Sequence, residues 1–424
     1  MPANTETPPR PRKARRLLQR LAASAIAVFA TLLAVEVLLR AVGISHPLPY
    51  SPDEYCATRL AAGFRGYWSK EGGARIQVNE AGFRDNEHAK AKPPRTIRIA
   101  VLGDSYIEAF QVSIDHMFGS VLERELNRLP MEPGQTVEVL SFGVAGWGTA
   151  SELMALRHHV WQYDPDVILL AFFPGNDVRN NSRELEPMDC RPFFVLEDGE
   201  LVPDLAFRQD PRYVYANQPS SEWKRRIINA SRLLQVVQAA RNAIAERAET
   251  AAQRRNETQE GTPATAEIGL DDGCFLPPEN PAWQAAWELT DRLIEQCHLE
   301  TASHDKLFAV MPVTVGVQVH PDPTYRQAYA QRIGTENLLY PNRRLRALGA
   351  DLGFAVIPIV EEMADYAERR DVFLHGFPNT ELGQGHWNEE GHRLAAEICA
   401  RKLTRIWRGE ATRHDDALGS EMTK

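Results

Sequence analysis

Four short stretches carry the residue types that nucleophilic chemistry needs: "GDS" at 103–105, "GVAGWGTASE" at 143–152, "PGND" at 174–177 and "GQGHWNEEGH" at 383–392. Ser105 poses the first question. A serine hydroxyl is a weak nucleophile at its free pKa and needs a base within hydrogen-bond reach. An imidazole titrates near working pH, so His386 is the base candidate. The competing reading makes Ser105 an N-cap, a position serine favours. Asn176-Asp177 reads equally well as turn chemistry, and Gly146 as a plain turn glycine. The glycine turn at 143–148 is spaced G-x-x-G-x-G, not the dinucleotide-binding G-x-G-x-x-G, and the chain has no Walker or H-E-x-x-H motif. No cofactor and no metal is therefore expected.

These stretches need a frame that gathers them. "IRIAVLG" (97–103), "VEVLSFG" (137–143) and "DVILLAFF" (166–173) are short, largely apolar runs consistent with buried strands, and the first two are followed by helical patterns near 118–129 and 150–162. The rhythm resumes with a helix around 282–303, a strand at 306–313, a helix near 338–352, a strand at 354–360 and a last helix at 389–407. Alternating strands and helices predict a parallel sheet with helices on both faces. Functional residues of such sheets gather at the C-terminal strand ends, where the first three stretches fall; the fourth precedes the last helix. Between 183 and 281 the rhythm breaks into an irregular insert, whose polar centre, 243–269, reads as a mobile loop or a fraying exposed helix.

Taken in order, the four stretches resemble the blocks of the SGNH/GDSL hydrolase (esterase/lipase-like) family, in its membrane-anchored bacterial type. The resemblance covers roughly residues 96–407 apart from the insert. It implies a three-layer α/β/α flavodoxin-like parallel sheet, with Ser105 as nucleophile and His386 as base. The oxyanion donors would be the backbone N–H groups of Ser105 and Gly146 and the side-chain amide of Asn176. Two positions depart from the family pattern. Ser141 stands where many relatives carry Asn, and Gly383 stands three residues before His386, where the family has its Asp. Glu381 or Glu389, or a backbone carbonyl, is left to orient the ring. Otherwise the pair works as a dyad, works slowly, or only binds. His392, His158 and His159 are assigned to structure, and Asp104 to ordering its loop.

The chain is 424 residues long with a formal net charge of −9, which disfavours a nucleic-acid partner. Arg10, Arg12, Lys13, Arg15, Arg16 and Arg20 precede an apolar run at 21–39 whose only charge is Glu36. Such a run is long enough to cross a bilayer. Its length, and the lack of a clean cleavage site after it, favour an anchor over a signal peptide. The expected layout is a basic cytoplasmic tail at 1–20, a transmembrane anchor at 21–40 and a membrane-proximal linker and lead-in at 41–95. The hydrolase-like domain follows at 96–407, then a loose tail at 408–424. Basic residues before the span place the N-terminus in the cytoplasm and the catalytic domain outside the inner (cytoplasmic) membrane. The bilayer is then a partner through residues 21–40. Of the five cysteines, Cys190 and Cys274 flank the insert and form the one suggested pair, the alternative being that all five stay reduced.

The expected activity is metal-independent hydrolysis of acyl esters, O-acetyl esters among them, on an envelope glycan or lipid. Two alternatives remain: O-acetyl transfer to a glycan with the same residues, and a glycan-binding or assembly protein with a decayed site.

Overall fold

The computed structural model describes residues 12–129, 134–186, 190–256 and 270–409. The first eleven residues, 257–269 within the stretch read as a loop or fraying helix, and the tail from 410 lie outside the described residues. The chain divides into two compact units: residues 1–48 with 225–258, and residues 49–224 with 259–424.

In chain order, α1 (Arg12–Val42) is followed by two antiparallel pairs. These are β1 (Tyr50–Asp53) with β2 (Ala57–Leu60), and β3 (Arg65–Trp68) with β4 (Ala74–Gln77). Then come β5 (Thr96–Gly103), α2 (Ser105–Glu108), α3 (Phe118–Arg128), β6 (Thr136–Gly143), α4 (Thr149–Ala155), β7 (Val167–Phe172) and α5 (Asp177–Asn181). The insert holds the hairpin β8 (Phe193–Glu197) and β9 (Glu200–Asp204), then α6 (Pro211–Ala216), α7 (Pro219–Ala230) and α8 (Arg232–Asn256). The chain closes with α9 (Pro281–Ser303), β10 (Leu307–Pro312), α10 (Pro323–Arg332), α11 (Tyr340–Leu352), β11 (Ala355–Val356), α12 (Val360–Arg370) and α13 (Glu389–Trp407).

The main sheet runs β6-β5-β7-β10-β11 with every neighbouring pair parallel. That is the flavodoxin-like 2-1-3-4-5 order, with its switch point at β5. The predicted three-layer α/β/α fold is the one observed. Alternation of side chains across the pleat builds two cores. Ile97, Ile99 and Val101 join Phe118 and Leu122 of α3 and Ile398 of α13 on one face. Ala100 and Leu102 join Leu153 of α4, Trp287 and Leu293 of α9 and Leu345 of α11 on the other. Every residue of β5 and β7 is buried; β7 reads as an unbroken apolar run, while β5 buries Thr96 and the charged Arg98 among its apolar residues. Truncating one of these, such as Leu170→Ala, costs about 2–5 kcal/mol.

Three sequence expectations change. The stretch 41–95 is no linker beyond residue 49: β1 to β4 belong to the larger unit, and Leu60, Ile76 and Val78 pack with Phe110 in a small core of their own. The strand expected at 354–360 pairs only at Ala355 and Val356. The Ile357 N–H still reaches the Val310 carbonyl at 2.8 Å, but Pro358 has no N–H to continue the ladder and the chain turns into α12, which the periodicity reading omits. The insert is more regular than expected. Its hairpin turns at Asp198-Gly199, both with positive φ (52° and 86°), the conformation a tight hairpin needs. The suggested Cys190–Cys274 bridge is not formed; all five cysteines are free.

In the smaller unit, Glu36 near the end of α1 accepts hydrogen bonds from the backbone N–H groups of Arg232 and Leu233 at 2.9 and 3.0 Å and from Ser231 Oγ at 2.9 Å. It thereby caps α8. The chain leaving α1 is clamped to the same place. Asn229 exchanges two hydrogen bonds with the Leu48 backbone, at 2.8 and 3.0 Å, and the His46 N–H reaches Gln235 at 3.0 Å.

Candidate active site

β5 ends at Gly103 and the chain turns into the single turn α2. The cap of that turn is Asp104, not Ser105: the Asp104 carboxylate accepts the Tyr106 N–H at 2.9 Å. Ser105 is the first residue inside the helix, half-buried; its hydroxyl lies 3.4 Å from Asp104 Oδ2 and closer to a second partner. That partner is His386. Its Nε2 lies 2.8 Å from Ser105 Oγ, across 281 positions of sequence.

The ring is held from its other side by Glu71, in the turn between β3 and β4. Glu71 Oε2 accepts from His386 Nδ1 at 2.6 Å, and Oε1 accepts the His386 backbone N–H at 2.9 Å. A carboxylate at Nδ1 fixes the proton there, so Nε2 of the neutral ring is the acceptor facing the serine hydroxyl. Gln111 Nε2 donates to Glu71 at 3.3 Å. Burial pushes the Glu71 carboxyl up, but its hydrogen bonds and charge contact with His386 outweigh this and hold it below its ordinary value. Burial likewise pushes the imidazole down, and Glu71 outweighs it, so the ring titrates above its ordinary 6.5.

The orienting group is therefore neither of those expected. Glu389, exposed at the start of α13, faces His116 at 3.0 Å, and Glu381 is exposed on the loop before the histidine. Gly383 has φ +85°, and a Cβ there would meet the Phe373 ring at 3.0 Å, so a side chain at that position is strained and crowded. Gly385 explains why Glu71 does fit: a Cβ at 385 would come within 2.3 Å of Glu71 Oε1. The missing side chain opens the place that the distant carboxylate fills.

The rest of "GHWNEEGH" builds the loop. Trp387 is fully buried and donates from Nε1 to Thr314 Oγ1 at 2.8 Å. Asn388 caps α13 by accepting the Gly391 N–H at 3.0 Å. The Gly385 carbonyl accepts from Tyr106 Oη at 3.0 Å and from His375 Nδ1 at 2.7 Å. Burial pushes the His375 ring down to about 4, which keeps it neutral. His392 is buried and held well below its ordinary value by burial; His158 stacks on Tyr55 at 3.6 Å and His159 faces Asp53 at 3.1 Å. None of these three belongs to the Ser105–His386 pair.

Gly146 stands exposed in the loop after β6. Its carbonyl is tied back by Arg191 Nη1 at 3.0 Å and Asn180 Nδ2 at 3.4 Å. The preceding Ala145 N–H goes to Glu108, a buried carboxyl that also accepts from Tyr50 Oη at 3.1 Å and that burial raises to about 8. Asn176 follows β7, half-buried, and its side chain helps to hold the buried Asp104 carboxyl down against the upward push of its burial. Ser141 lies in β6, with its N–H on Asp85 Oδ2 at 2.7 Å, and is not part of this group.

No protein-family model and no curated protein sequence matches the chain. Among solved structures it is similar to an acetyl xylan esterase, with 11% identity and a TM-score of 0.35, covering 74% of this chain and 100% of that one. It is also similar to the lipase/acylhydrolase from Enterococcus faecalis, with 14% identity and a TM-score of 0.35, covering 73% and 96%. A third is Axe2, an acetylxylan esterase from Geobacillus stearothermophilus, with 9% identity and a TM-score of 0.34, covering 72% and 94%.

Proposed function

We propose that the chain is a membrane-anchored serine ester hydrolase working through an acyl-enzyme. The observation that carries this reading is the line of contacts from Glu71 through His386 to Ser105, at 2.6 and 2.8 Å. Ser105 Oγ attacks the ester carbonyl carbon as His386 Nε2 takes its proton. The negative charge that collects on the carbonyl oxygen meets the N–H groups of Ser105 and Gly146 and the amide of Asn176. The tetrahedral intermediate collapses as the imidazolium gives its proton to the departing alcohol. Water then repeats the sequence on the acyl-serine and releases the acid. Glu71 is a positioning residue: it sets the tautomer and stabilises the imidazolium.

A filled place for the orienting carboxylate supports turnover over the decayed-site reading. The nature of an outward-facing anchored esterase suggests O-acetyl or other acyl groups on an envelope glycan or lipid as substrate, in the same compartment as the domain. Two features support a retained anchor at 21–40; the basic residues before the span argue for an N-terminus in the cytoplasm and a domain outside the inner membrane. The apolar stretch of α1 has no buried part, unlike a core helix. Its Glu36 also caps α8, and cleavage after the span would strip that cap from the folded protein.

The test is full-length protein in detergent with an activated acetyl ester. A burst of alcohol, acetyl label on Ser105 and loss of both in Ser105→Ala are expected. Normal folding with neither burst nor reaction with a serine-directed phosphonate overturns the reading. Acetyl transfer to an added sugar in place of release to water would make the enzyme a transferase.

A further inference from the structure

The insert carries a feature that ester chemistry does not use. On α7, Trp223 and Ile227 are one turn apart on one face and are 65% and 58% exposed. On α8, Leu234, Val237 and Ile244 follow the same helical spacing, the last two 48% and 67% exposed. Lys224, Arg225 and Arg226 stand between the first two apolar residues, and Arg241 falls within the second stripe. Aromatic and aliphatic side chains interleaved with Lys and Arg suit neither a dry core nor open water; they suit the headgroup zone of a bilayer, where long basic chains reach the phosphates.

The joint to α1 fixes where this surface lies. Glu36 is one helical turn from Arg40, so its side chain sits about 6 Å below the end of the expected span. The first N–H groups of α8 are bound to that carboxylate, and Arg40 Nη2 donates to the Ala230 carbonyl at 2.9 Å. The turn between α7 and α8 is thus fastened to the end of the span, and residues a turn or two on either side stand at headgroup depth. A protein partner would have to compete there with lipid already in place.

We propose that α7 and the first turns of α8 form a second membrane contact, in which the Trp223–Val237 stripe lies in the outer leaflet against anionic phospholipid headgroups. This rests on the anchor reading above.

The experiment uses the full chain in vesicles of phosphatidylcholine and phosphatidylglycerol, with and without bromine on the acyl chains, beside the Trp223→Phe variant. The fluorescence that the variant lacks reports on Trp223 alone. Retention of protein with the vesicles after an alkaline wash reports separately on α1. The expected result is retention, with most of the Trp223 signal lost in brominated lipid and restored by Ile227→Asp. Retention with a Trp223 signal that bromine leaves unchanged and aqueous acrylamide quenches overturns this inference and leaves the anchor standing. Release of the protein by the wash overturns both.

Discussion

Glu71 and Glu36 make an instructive pair. Each is a carboxylate far in sequence from the groups it serves, and each collects backbone N–H and side-chain donors on both oxygens. They differ in what the donors can do. Glu36 binds two amides at a helix start, a hydroxyl and a guanidinium, none of which changes charge near neutral pH, so it acts as a joint. Glu71 binds one backbone amide, the Gln111 side-chain amide and one imidazole. The imidazole titrates, and its far nitrogen touches a hydroxyl, so in the proposed mechanism the same anchoring geometry becomes part of a proton path. The partner set, not the carboxylate, decides between fastening and chemistry.

That contrast can be broken by substitution. Ser105→Ala removes the nucleophile and is expected to lower kcat by about 10⁶, measured on an activated ester with folding checked by circular dichroism. Glu71→Gln keeps shape and loses charge. By analogy with an amide in place of a triad aspartate, it should cost about 10⁴ in kcat, where a merely structural glutamate would show a near-normal rate. Asn176→Ala removes one oxyanion donor and is expected to cost about 10²–10³ in kcat with KM little changed. Glu36→Ala, the other half of the comparison, should leave turnover intact. It removes a helix cap worth about 1 kcal/mol, seen as faster amide hydrogen exchange at residues 232–235.

The two glutamates should also differ in pH response. His386 must be neutral to accept the serine proton, and its pKa is raised, so kcat/KM should fall with acid through a midpoint above 6.5. In Glu71→Gln that midpoint should move down; an unmoved midpoint would remove Glu71 from the proton path. Stability follows the same linkage. The contribution from charged His386 is complete below 6.5 and lost as pH rises through the raised value. The contribution from ionised Glu71 is present above 4.5 and lost as pH falls through the lowered value.

Much of this was legible in the residues. β5 and β7 are buried on both faces, so their apolar runs announced themselves. Ser105, Gly146, Asn176 and His386 each follow a strand or precede a helix and carried their own local signal. Ser105 and His386 are in contact, while Gly146 and Asn176 follow the two strands that flank β5. Glu71 had no such signal. It lies in "SKEGGAR", among short strands with weak periodicity, and only the fold brings it to His386. The hint lay in the glycines of "LGQGHW": a loop without side chains leaves room for a group from elsewhere, though not its address. Glu36 was visible as an oddity in an apolar run, but a cap on a helix nearly 200 residues later cannot be read from spacing.

Because residue 385 has no side chain, the acid that steadies the catalytic ring arrives from the N-terminal side of the sheet domain. A chain trimmed to begin at the first core strand would lose that group together with Leu60, Ile76 and Val78, which cover Phe110, and with Phe83, which packs into the sheet's second core. Any soluble form should therefore start before the short antiparallel pairs and not at the recognisable blocks.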